Sequence, residues 1–179
     1  MKKIILMILG MLLISSAAYA LTPEELKGKW VSNKVSETDP NGGGSVDVVL
    51  TFNFDGASKA GFTQGTTANL EIGQGAKLFM YNEVQAECEY TVAGDSISFK
   101  INPESVKLNM TEDDIRIIGV DDAAAADGMK QQMVEGSHQQ LPMMAEQLAS
   151  EPMVLNNVMI LPKKMTAIVD GKMVTFKKK

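Results

Sequence analysis

The amino-acid sequence predicts an all-β fold, an antiparallel up-and-down barrel of about eight to ten strands with a short helical insert before the last strands. Three observations predict it. Apolar side chains recur at every second position over long stretches, the period of a strand with one buried and one wet face. Asp55-Gly56, Gly94-Asp95 and Asp170-Gly171 separate alternating runs and suit the backbone angles of tight hairpins. No linker divides the chain and no repeat of about 20–50 residues is visible, and hairpin after hairpin suggests that neighbouring strands pair in sequence order. A long meander leaves two unpaired edges, and closing it into a barrel removes them. A two-sheet sandwich is the alternative arrangement.

The first 20 residues stand apart from this pattern. Lys2 and Lys3 form a positive head, Ile4 to Ile14 is apolar apart from Gly10, and Ala18-Tyr19-Ala20 closes the stretch. That is the layout of a secretory signal peptide with a small-x-small cleavage site after Ala20. The apolar run falls short of the roughly 20 residues that a membrane-spanning helix needs. Cleavage leaves one domain, residues 21–179, and turns 17 basic residues into 15 against 22 acidic, a net charge of −7 instead of −5. An acidic domain with Arg116 as its only arginine argues against a nucleic-acid partner. The cleavage region holds no Cys for lipid attachment, so the expected location is the periplasm or the extracellular medium. Cys88 is the only thiol, and no internal disulfide can form. Stability must come from a core, and a domain of this size buries roughly 68–70% of its unfolded surface.

The elements follow in order. Val46, Val48, Leu50, Phe52 and Phe54 alternate with Asp47, Val49, Thr51 and Asn53, a clear strand that ends at Asp55-Gly56. Ala60 to Ile72 is a weaker strand with Gly61 and Gly65 inside it. Ala76 to Val92 alternates, with Phe79 and Tyr81 as exceptions, and exceeds the usual strand of about 3–10 residues, so a turn or bend is expected near Tyr81 to Glu83. Ser96 to Ile101 is the next strand; Asn102-Pro103-Glu104 turns the chain into Val106, Leu108 and Met110, and Asp113-Asp114 opens a strand with Ile115 and Ile117. Residues 123–150 are rich in Ala, Gln, Glu and Met, good helix formers. Gly136 and Pro142 interrupt them, which predicts two short helices, about 123–135 and 141–150. Val154 to Leu161, Met165 to Val169 and Met173 to Lys178 complete the set.

Three pieces of sequence resemble a known group. Gly28-Lys29-Trp30 is similar to the Gly-x-Trp signature of lipocalins and related calycin barrels. Thr51 to Gly56 and Asp170 to Phe176 extend the likeness to the secreted lipocalin-like proteins of Bacteroidetes. The resemblance implies that Trp30 plugs one barrel end, with Lys177 or Lys178 packed across it. The helical insert departs from the lipocalin plan, in which the main helix follows the eighth strand.

A barrel of about eight strands is either filled by side chains or holds one small ligand. The leading expectation is a small hydrophobic molecule bound non-covalently by Phe52, Phe54, Phe62, Ala86, Cys88, Tyr90, Phe99 and Leu108, with Met129 and Met133 near an opening. Ten methionines lie outside the expected signal, and Met129, Met133, Met143 and Met144 fall in the insert, where flexible thioethers suit a pliable lid or a packing element. The alternative is an envelope interaction or structural protein with a solid barrel, for which Phe79 and Tyr81, on an otherwise polar strand face, are contact candidates.

Other chemistry is poorly served. His138 and the insert methionines lack the tight spacing of a cuprous site, and Glu112, Asp113, Asp114, Asp121 and Asp122 lack a calcium-loop spacing, so no metal or other cofactor is expected. Asn41-Gly42-Gly43-Gly44 is followed by neither a Lys-Ser/Thr pair nor a helix, and is not a phosphate cradle. Lys177-Lys178-Lys179 reads as a solubilising end. No nucleophile motif accompanies His138, and an inward Cys88 is an inert thiol, so the chain is not expected to be an enzyme.

Overall fold

Among the described residues, eleven strands pair into one antiparallel sheet, and the sheet closes on itself. The computed structural model describes residues 21–39, 43–73 and 75–179. The expected signal peptide and residues 41 and 42 of the glycine loop lie outside the described residues. The chain runs through a one-turn helix α1 (Pro23–Leu26), then β1 (Gly28–Ser32), β2 (Val35–Thr38), β3 (Gly44–Phe54), β4 (Lys59–Gly73), β5 (Ala76–Ala93) and β6 (Ser96–Ile101). Short β7 (Lys107–Asn109) and β8 (Ile115–Ile118) follow, each preceded by a single 3-10 turn. Helix α2 (Ala123–Ser150) then leads to β9 (Met153–Leu161), β10 (Lys164–Val169) and β11 (Lys172–Lys178).

The barrel order is β1-β11-β10-β9-β6-β5-β4-β3, and β1 pairs back onto β3 to close eight strands. Closure removes the open edges that a sandwich would keep. Strand β2 continues along β3 beyond β1, from Val35↔Val48 to Thr38↔Ser45. The two-residue connections at Gly94-Asp95 and Asp170-Gly171 are tight hairpins, and Asp170 (φ 47°) and Gly171 (φ 76°) both adopt the left-handed backbone that such a turn needs. The Asp55-Gly56 connection is longer. Asp55 Oδ1 accepts from the backbone amides of Ala57 (2.7 Å), Ser58 (3.0 Å) and Lys59 (3.1 Å), and these donors hold its carboxyl below the usual range.

Two sequence expectations need correction. No turn interrupts residues 81–83, because β5 is one strand of 18 residues. Strand β4 pairs with it from Lys59↔Glu89 to Gly73↔Ala76, so residues 81–83 keep a partner on that side. The interruption falls on the other edge, where β6 takes Cys88 to Ala93, β7 takes Glu83 to Gln85, and β8 takes Lys77 to Met80. The insert is likewise one helix of 28 residues with Pro142 inside it, not two short helices. An internal proline costs a helix about 3 kcal/mol. The apolar stripe Met133, Val134, Leu141, Met144, Ala145 and Leu148 runs through that point and packs on the barrel core, which offsets the cost. Asp122 caps the start, its Oδ1 accepting from the amides of Ala124 (2.9 Å) and Ala125 (3.2 Å).

Candidate functional site

Even-numbered residues of β3, β4 and β5 face the interior, and they differ sharply between the two ends of the barrel. At one end Phe52 lies 4.6 Å from Phe99, 5.5 Å from Phe62, 5.7 Å from Phe54 and 5.9 Å from Phe176, centroid to centroid. Phe54 meets Tyr90 edge-on at 4.9 Å. Such ring contacts add to the area the rings bury. Trp30 closes this end. Its indole N–H donates to the Leu26 carbonyl (2.5 Å), and the Lys178 ammonium sits 5.1 Å from its ring centroid.

The structure therefore gathers Phe52, Phe54, Phe62, Tyr90 and Phe99 inside the barrel, but against one another. Ala86 pairs across the sheet with Phe62, a small side chain making room for a large one, and Cys88 pairs with Ala60. The Cys88 thiol donates to the Ala60 carbonyl (3.2 Å), and burial pushes it up to about 11. The Tyr90 hydroxyl is buried here without a hydrogen-bond partner of good geometry among the described residues.

The opposite end is built differently. Gln64 and Thr66 of β4, Asn82 and Val84 of β5, and Leu108 of β7 point towards α2, and Ser137, Gln140, Met143, Met144 and Gln147 roof them. Together they line a half-open cleft of about 380 Å3. Its floor is apolar at Val84 and Leu108, both buried, and its rim carries amides and hydroxyls. Gln64 Nε2 donates to Thr66 Oγ1 (3.4 Å). His138 Nε2 lies 3.3 Å from the Met110 carbonyl oxygen and ties the middle of α2 to the wall.

Leu108 is the only member of the sequence-derived wall set that lines this cleft. Met133 packs against the core, and Met129 is 38% exposed and lies away from the cleft. Gln64, Thr66 and Asn82 escaped the sequence reading. Their signal was present, since each puts a polar side chain on a face that is otherwise apolar. Of the acidic cluster, Asp122 caps α2 and Asp114 accepts from the Thr111 amide (2.8 Å) at the preceding 3-10 turn.

Fold and cleft define a class: an eight-stranded antiparallel barrel whose mouth is roofed by a helix inserted between β8 and β9. No protein-family model matches the chain, and no curated protein is significantly similar to it. Among the described residues, no helix is long and apolar enough to cross a membrane.

Proposed function

We propose that this chain is an exported lipocalin-like barrel that binds one small, mainly apolar molecule non-covalently, at its mouth rather than in its centre. The mouth cleft carries the reading. Its volume of about 380 Å3 falls within the range of small-molecule sites, about 300–1,000 Å3. Burial of guest surface on Val84, Leu108 and Met144 contributes about 25 cal/mol per Å2. The Gln64, Asn82 and Gln140 amides orient its polar end. Met143 and Met144 give the roof flexible side chains that follow the guest's shape. Export to the periplasm or medium is supported by the Lys2-to-Ala20 segment, and binding rather than catalysis by the buried, hydrogen-bonded Cys88 thiol.

Native mass spectrometry of protein recovered from its own envelope, combined with uptake of a fluorescent fatty acid, tests this. A bound small molecule is expected, and Thr66→Phe, which fills the cleft, is expected to weaken uptake by about tenfold or more. Apo mass alone together with no fatty-acid uptake would overturn the proposal. That outcome would favour the rival, a guest-free structural barrel acting through its surface, which draws on the filled aromatic end.

A further inference from the structure

From the outer wall of the same sheet we infer a second, independent site, one for a neutral saccharide. Odd-numbered residues of β3, β4 and β5 face outwards, and Gly65 of β4 leaves a gap among them. A Cβ at Gly65 would lie 3.2 Å from the Tyr81 hydroxyl oxygen and 3.6 Å from its Cε2, so the tyrosine ring rests on the glycine. Tyr81 nevertheless stays 41% exposed, which leaves ring surface to solvent. Thr67 sits directly across the strands from Tyr81, and Thr51 pairs with Thr63 alongside. Tyr81 and these threonines line a shallow cleft of about 320 Å3 with Lys34, Asp47 and Glu83.

The polar groups of the cleft are held in place. Glu83 accepts from the Tyr81 hydroxyl (3.3 Å), from Gln85 Nε2 (2.6 Å) and from Asn109 Nδ2 (3.4 Å). Lys34 is paired with Asp47 at 2.8 Å. Fixing several long side chains on a wet surface costs rotamer entropy and returns little stability. A recognition surface, in contrast, gains from such preorganisation.

The chemistry selects the ligand. The C–H face of a pyranose packs on an aromatic face, whose quadrupole is negative. Its hydroxyls can donate to the Asp47 and Glu83 carboxylates and can both give hydrogen bonds to and take them from the threonine hydroxyls. Lys34 is already paired, and among the described residues Glu83 has no cation at ion-pair distance, so an anionic ligand meets repulsion. Quaternary ammonium ions prefer cages of several aromatic rings, and Tyr81 is the only aromatic residue lining the cleft.

Amide NMR of the 15N-labelled protein tests the inference with maltose, lactose, cellobiose and N,N'-diacetylchitobiose, each at millimolar concentration, and with tetramethylammonium as the cationic control. At least one disaccharide is expected to shift the Gly65 and Glu83 amides saturably. Tyr81→Ala is expected to weaken that response by about tenfold, and Tyr81→Phe to hold it within about threefold. Glu83→Gln keeps the side-chain shape and serves if Tyr81→Ala does not fold; it too is expected to weaken binding. The inference falls if no disaccharide moves these amides, if Tyr81→Ala and Glu83→Gln leave the response unchanged, or if only tetramethylammonium produces it. Thr66→Phe acts on the opposite face of β4 and is expected to leave the saccharide response intact, so this site and the mouth cleft stand or fall separately.

Discussion

At the closed end of the barrel Phe52 touches four other phenylalanine rings, whereas at the mouth the corresponding positions of β4 and β5 are Gln64, Thr66 and Asn82. The same strands build both ends, and the inward period is unbroken from one to the other. The difference lies in what the side chains meet. Rings crossing an eight-stranded barrel fill it completely. Amides and hydroxyls cannot be buried without partners, so the mouth stays open enough for water, α2 or a guest to satisfy them. Stability is concentrated at one end and adaptability at the other.

Truncating one residue at each end separates the two ends by the largest expected effect. Phe52→Ala is expected to cost about 3–5 kcal/mol in chemical denaturation, the cost of a cavity in a packed core. Met144→Ala in the roof is expected to cost less, about 1–2 kcal/mol, because the residue is only partly buried and its neighbours can collapse. Equal costs would mean that the mouth is as closely packed as the aromatic end. Pro142→Ala comes next. Restoring the missing helical donor is expected to stabilise the protein by about 1–2 kcal/mol, measured by thermal and urea unfolding. No gain would show that α2 is already relaxed around the proline.

Cys88 sharpens the closed end from a different side. Burial raises its folded pKa from about 9 to about 11, so the thiol's contribution is fully present below pH 9 and is lost as pH rises towards 11. Stability is expected to fall across that window, and Cys88→Ala to flatten the fall. Thiol reagents at pH 8 are expected to leave the native protein unmodified. The smallest effect is expected at Tyr90. Its buried hydroxyl lacks a well-formed hydrogen bond among the described residues, so Tyr90→Phe is expected to be neutral or stabilising, within about 1 kcal/mol. A clear loss of stability in urea titration would show that the hydroxyl is satisfied in solution.

How far the sequence could be read depended on whether an element's pattern was local. The alternation Val46 to Phe54 announced β3, and the Asp170-Gly171 pair announced the β10–β11 hairpin, because strand period and turn backbone are properties of neighbouring residues. The inward direction of Phe52, Phe62 and Phe99 was equally legible. That they touch one another was not, since facing inwards says nothing of the distance to the far wall.

The unbroken course of β5 and of α2 was hidden for the same reason. A strand of 18 residues persists because β4 pairs it from Ala76 to Glu89 and β6 pairs it from Cys88 to Ala93, and Pro142 is tolerated because the stripe on both sides of it is packed against the barrel. Neither partner can be inferred from the segment itself. The mouth cleft is the plainest case. Its floor comes from β4, β5 and β7 and its roof from a helix more than 30 residues further on than Leu108 in the case of Gln140 and Met143. The sequence alone determined the all-β class and the inward faces, which rest on local periodicity, and the helical insert, which rests on local composition. That the expected barrel closes with eight strands, one end filled and the other open, was decided by tertiary packing, because only contacts across the barrel set which inward side chains meet and which leave room.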